Sequence, residues 1–138
     1  MKKLICLSIV FVTFFSCSSD ETTETFIDEN IDIITTPTQA KAKVFNFNEE
    51  PQPGYTVLMF EEQPDIESPL PQILMQGVSD NEGEVVFDLE ELFDIFGEKT
   101  YYFVAFTEVS NGFIWKSSNV GSLDITENTI STTFLYVN

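Results

Sequence analysis

The side chains that could do chemistry in this chain are few in kind. Its 138 residues hold 23 aspartates and glutamates, two cysteines, one tryptophan and no histidine. Without an imidazole, histidine-based triads and the common zinc sites are excluded. Carboxylates can pair as general acid and base, as in glycoside hydrolysis, but with 23 of them coincidental pairs are guaranteed. Asp80-Asn81-Glu82-Gly83-Glu84 gathers oxygen donors of the kind a hard cation takes. Aligning Gly83 with the glycine of a twelve-residue calcium loop puts Val78 at the first ligand position, so the segment reads as a tight turn. No cofactor and no metal site are expected. Tyr55, Tyr101, Tyr102 and Trp115 are the candidates for an aromatic surface that receives a sugar ring or a protein partner.

One thiol stands out by its position, that of Cys17. It follows Lys2-Lys3, an apolar run from Leu4 to Phe15 broken only by Ser8 and Thr13, and the small residue Ser16. A run this short does not span a bilayer as a helix, and its basic start and small-residue exit read as a secretory signal. Cys6 is no rival, because only Leu4 and Ile5 separate it from the lysines. Phe14-Phe15-Ser16-Cys17 resembles the lipobox of bacterial lipoproteins, with Phe14 where that family prefers leucine. The resemblance implies that residues 1–16 are a signal peptide and that Cys17 is acylated, with palmitate among its chains. Ser18-Ser19-Asp20-Glu21 in turn resembles the acidic export signal of outer-membrane lipoproteins displayed on some cell surfaces. A plain solvated tether would have the same composition. The expected location is the outer membrane, lipid-anchored, with exposure at the cell surface as the finer expectation.

Charge and cysteine count agree with that reading. The chain carries a formal charge of −17. Loss of residues 1–16 leaves 122 residues with four lysines against 23 acids, a charge of −19. So acidic a chain is repelled by a phosphate backbone, which excludes nucleic acid as a partner. Anionic headgroups repel it too, so the membrane must be held through the lipid on Cys17. One acyl chain anchors only marginally, whereas lipoprotein processing implies three. With Cys17 acylated no thiol remains for a disulfide, and the fold must stand on its apolar core.

Residues 17–39 are polar, acidic and threonine-rich and read as a tether, with Ile31 to Ile34 as an island that could dock on the domain edge. Residues 40–138 read as one domain of short strands separated by turn chemistry. The expected strands are Lys43–Asn48, Tyr55–Phe60, Ile73–Val78, Glu84–Leu89, Thr100–Thr107, Phe113–Lys116 and Thr129–Val137. Phe45 and Phe47 share one face of the first, and Ile130, Thr132, Phe134 and Tyr136 share one face of the last. Pro64, Pro69 and Pro71 mark an extended loop that cannot enter a central ladder. Asp88 with Glu91 predicts a capping box for a short helix over Leu89 to Phe96, and Gly97 suits its left-handed end. Asn111-Gly112 predicts a type I′ hairpin. Together these give an all-β chain: a single antiparallel β-sandwich of about seven strands with one short helix near 89–96.

The order of the pieces resembles the prealbumin-like sandwich, in the group of carboxypeptidase-regulatory-like and pilus-type B domains. The resemblance rests on Tyr55-Thr56-Val57-Leu58-Met59-Phe60, on Gly77 to Leu89 with its Asp80-Asn81-Glu82-Gly83 turn, and on Thr100-Tyr101-Tyr102-Phe103-Val104-Ala105. It covers about Lys43 to Phe106 and departs from the pattern by inserting Leu89 to Phe96. It implies a Lys–Asn isopeptide as a family feature, for which Lys43 and Asn138 are the positional candidates; Lys43 is expected instead to reach water. The function expected is a lipid-anchored, non-enzymatic binding or structural module that contacts a protein or glycan. The alternatives are a small carboxylate-dependent hydrolase, or an inhibitor or receptor-like accessory of an outer-membrane transport assembly that uses the 64–71 loop.

Overall fold

The computed structural model describes residues 35–138. Cys17, the acidic tether ahead of residue 35 and the Ile31 to Ile34 island lie outside the described residues. Eight strands and one helix follow in the order β1 (Gln39–Asn46), β2 (Thr56–Phe60), β3 (Ile73–Val78), β4 (Glu84–Asp88), α1 (Glu90–Phe96), β5 (Lys99–Val109), β6 (Gly112–Trp115), β7 (Gly121–Ile125) and β8 (Ile130–Val137). They form two facing sheets. One has three strands in the order β4-β1-β8; the other runs β3-β2-β5-β6, with β7 also on β5.

The period-two pattern explains the layers. In β1, Ala40, Ala42 and Val44 are buried, while Lys41, Lys43 and Phe45 take the other face. Strand β8 does the same with Thr133, Leu135 and Val137 inward. These meet Val57 and Met59 of β2, and Tyr101, Phe103 and Ala105 of β5, across the inter-sheet core. Phe87 of β4 and Phe103 of β5 bridge the two sheets with centroids 5.6 Å apart. Strand β2 is buried on both faces, because Leu58 and Phe60 join Val104 and Phe106 in a second core on the outer side. Leu70 from the proline-marked loop packs on that second core and keeps water from it.

The turn after β3 shows local chemistry at work. Asp80 Oδ1 accepts the N–H groups of Glu82 and Glu84 at 2.8 and 2.9 Å, and Gly83 takes φ 73°. Those two N–H groups hold the Asp80 carboxyl below its usual range. A Cβ on Gly83 would lie 2.5 Å from the carbonyl oxygen of Val44, so only glycine fits.

Several expectations need correction. First, the sandwich has an eighth strand, β7. Its Gly-Ser-Leu-Asp-Ile sequence has weak intrinsic strand preference and is held by pairing with Lys99–Phe103 of β5. Second, the pairing is not wholly antiparallel, since β1 runs parallel to β8 over Gln39–Asn46. Third, α1 begins at Glu90 with Leu89 as its N-cap; Asp88 Oδ1 accepts the Glu90 N–H at 3.2 Å, so the Asp88–Glu91 capping box does not form. Leu89 is fully buried, while Leu92 and Phe93 pack on the core edge and Phe96 stays exposed. Fourth, Val109 pairs with Gly112 around Ser110 and Asn111, and of these only Gly112 has positive φ, so the turn is not type I′.

Lys43 and Asn138 are not placed for an isopeptide. Lys43 lies opposite Phe134 on β8, and Asn138 is four residues beyond, roughly 13 Å along the strand. The strand also begins earlier than expected: Thr38 is buried, with its carbonyl accepting Leu89 N–H at 3.0 Å.

Candidate functional site

The four aromatic residues expected to form one surface are distributed over different parts of the fold. Tyr101 is 2 % exposed and belongs to the inter-sheet core, its hydroxyl without a hydrogen-bond partner among the described residues. Burial pushes its phenol pKa up. Tyr102, the next residue on β5, necessarily faces the other way and packs on the second core with Trp115. Trp115 sits edge-on to Phe106 with centroids 5.5 Å apart and donates Nε1–H to the Ser117 carbonyl at 2.7 Å. Tyr55 packs against the inter-sheet core. Trp115 lines an open groove of about 600 Å³ between Gln63–Ile66 and Ser117–Val120.

A different aromatic group is exposed. The outer face of the β4-β1-β8 sheet carries Phe45, Phe134 and Tyr136, with Phe47 just past the end of β1. Phe45 stacks on Phe134 at 6.2 Å, and Phe47 on Tyr136 at 6.3 Å with ring planes only 9° apart. Phe47 is 62 % and Phe134 48 % exposed, while Phe45 and Tyr136 are half-buried. The alternation that sends Ala40, Ala42 and Val44 inward sends these rings out. The signal was present in the sequence. Lys41 and Lys43 share the parity of Phe45 and Phe47, and two lysines cannot both lie in a core.

Beside the rings, Glu84 of β4 receives both lysines. Lys41 Nζ lies 2.8 Å from Glu84 Oε1, and Lys43 Nζ 3.1 Å from Oε2. The two amines hold the Glu84 carboxyl below its usual range. Because β4 and β8 flank β1 on opposite sides, Lys43 is drawn away from the rings of β8.

The turn after β1 closes the aromatic face. Asn46 Oδ1 accepts the N–H groups of Asn48 and Glu50 at 2.9 and 3.0 Å, and Asn46 Nδ2 donates to Glu50 Oε2 at 2.7 Å. Glu49 sits at φ 64°, a left-handed conformation where glycine or asparagine is the ordinary choice. Holding a glutamate there costs about 1 kcal/mol or more. Glu49 lines a pocket of about 280 Å³ together with Phe45, Phe134 and Tyr136.

Carboxylates also gather near α1. Asp88, Glu90 and Glu91 rim a depression with Leu74, Met75, Leu92 and Ile95, and Glu90, Asp94 and Glu127 rim a smaller one. All of these acids are exposed. Among the described residues no three acidic side chains converge so as to hold a metal ion.

No family model matches this sequence, and no curated protein matches it. Solved structures do resemble it in fold. A streptococcal ancillary pilin matches over 75 % of this chain and 33 % of its own, with a TM-score of 0.51 and 13 % identity. The major pilin subunit BcpA of Bacillus cereus matches over 75 % and 30 %, with a TM-score of 0.44 and 13 % identity. A 9R-lipoxygenase from Cyanothece matches over 86 % and 20 %, with a TM-score of 0.39 and 14 % identity. The chain thus spans about a third of the ancillary pilin's length. At this identity the likeness shows a shared β-sandwich architecture.

Proposed function

We propose that this chain is a lipid-anchored lipoprotein of the outer membrane whose β-sandwich, of prealbumin type, is a non-enzymatic module that contacts a partner. The partner meets the outer face of the three-stranded sheet. The observation that carries the reading is the set of four exposed or half-exposed rings, Phe45, Phe47, Phe134 and Tyr136, stacked in pairs on one face. A soluble domain gains nothing from leaving Phe47 and Phe134 in water, so a contiguous aromatic patch marks a contact surface. Support for the anchor comes from the Ser16-Cys17 motif and the acidic segment after it. A sandwich shared with a streptococcal ancillary pilin is consistent with a structural module.

Two experiments test the halves separately. Palmitate labelling of cells expressing the wild type and Cys17→Ala is expected to mark the wild type alone; equal labelling rejects the anchor. A photo-reactive phenylalanine analogue at position 47 or 134 is expected to form adducts in intact cells, with none from position 110 at the β5–β6 turn. Absence of adducts at both 47 and 134 rejects the contact face.

A further inference from the structure

The aromatic face holds a pocket whose chemistry is more specific than a flat apolar patch. Its walls are the rings of Phe45, Phe134 and Tyr136, and its one charged lining residue is Glu49. The volume, about 280 Å³, is at the lower limit of small-ligand sites and suits one compact group. Rings present negative faces, and Glu49 adds an acidic residue to the same lining. The whole chain, at −17, sets a surrounding potential of the same sign.

The second observation is the backbone at Glu49. The turn it occupies is fully knitted by Asn46, so glycine at position 49 would fold at least as well. A glutamate held at φ 64° keeps a strained conformation while its carboxylate makes no ion pair among the described residues. Strain of this kind points to a role for the side chain. Lys43, which stands opposite Phe134 in the register, is paired with Glu84 on the far side of β1, and no lysine lines the pocket.

We propose that this pocket binds a single organic ammonium group, held over the rings of Phe45, Phe134 and Tyr136 and paired with the Glu49 carboxylate. The inference rests on the reading of this face as a contact surface and names the chemistry it takes. The ammonium could be primary, as on a lysine side chain, or quaternary, as on choline.

The test titrates the full chain with choline, with Nα-acetyl-lysine methylamide, with 3,3-dimethyl-1-butanol and with glucose, following ring-proton NMR shifts. 3,3-Dimethyl-1-butanol matches choline in shape without its charge. At least one ammonium probe is expected to bind roughly tenfold more tightly than the neutral isostere, the scale of a partly desolvated cation–π contact. The tighter of the two ammonium probes assigns the source. Glu49→Gly is expected to lose this binding while raising Tm, since relief of strain and loss of function then move in opposite directions. Glu49→Gln should lose most of the affinity with little change in Tm. Equal binding of the neutral isostere, tighter binding of glucose, no binding by any probe, or undiminished binding by Glu49→Gly would each overturn the ammonium assignment. None of these would remove adducts at positions 47 and 134, so the contact face is judged independently.

Discussion

Gly121→Ala offers a clean test of how tightly the two sheets meet. Gly121 is buried at the start of β7, paired with Phe103, and its φ lies outside the left-handed region, so alanine brings no backbone strain there. Alanine should even gain a few tenths of a kcal/mol by restricting the unfolded chain, about 0.4–1 kcal/mol at a compatible site. Against this, its Cβ would stand 2.6 Å from Thr133 Oγ1, 3.0 Å from Thr133 Cγ2 and 3.0 Å from Leu135 Cδ2. Thr133 is β-branched and buried in the opposing sheet, so it has little freedom to turn aside. Overpacking of this kind costs about 2 kcal/mol net. For a domain near 100 residues that is a Tm lower by roughly 8–16 °C. Thr133→Ala removes two of the three clashing atoms, so Gly121→Ala in that background should cost at least about 1 kcal/mol less. Urea and thermal melts of the four proteins give the coupling directly. A Gly121→Ala protein within 0.5 kcal/mol of wild type, or the same loss in both backgrounds, would refute the packing argument.

Two further outcomes follow from buried and paired polar groups. Tyr101→Phe deletes a buried hydroxyl with no partner among the described residues and should stabilise the fold by about 1 kcal/mol, read from the urea midpoint. Because the folded state raises the Tyr101 pKa, wild-type stability from the neutral phenol is present below about pH 10 and falls above it, a loss Tyr101→Phe lacks. The gap between the two proteins should therefore widen from pH 8 to pH 11, and a constant gap would contradict the burial argument. Glu84→Gln should cost about 0.5–1 kcal/mol at pH 7, where both lysines pair with the carboxylate. The folded state lowers the Glu84 pKa, so its contribution is full above the ordinary glutamate range and lost as pH falls through the folded value. Near pH 2 the two proteins should melt alike; a difference that persists there is not electrostatic in origin.

The parts of this fold that were legible in the sequence are those set by neighbours in the chain. Ile73–Val78 was read with its observed bounds, and the Asp80–Gly83 turn follows from short-range chemistry that glycine and aspartate announce. What escaped depends on distant partners. Strand β7 has only Leu123 and Ile125 as apolar residues, and its identity comes from β5. The parallel partnership of β1 with β8 joins segments some ninety positions apart, for which no local signal exists. The site suffered from the same limit. Alternation shows that Phe45 and Phe47 share a side without saying which side faces water; Lys41 and Lys43 on that same side were a clue left unused. Tyr101 and Tyr102 could not share a surface, since neighbours on a strand point opposite ways.

The parallel alignment of the first and last strands has a mechanical meaning. The chain enters β1 at Gln39, beside Ile130, and the rings lie at the other end, where Phe45 stands level with Tyr136. That is six residues of strand, roughly 20 Å from the point of entry. A pull applied to residue 35 against the Tyr136 end of β8 would run along the strands, not across them. The hydrogen bonds between β1 and β8 then share the load at once instead of parting singly like a zip. Force along the axis of β1 would therefore load this pairing in shear.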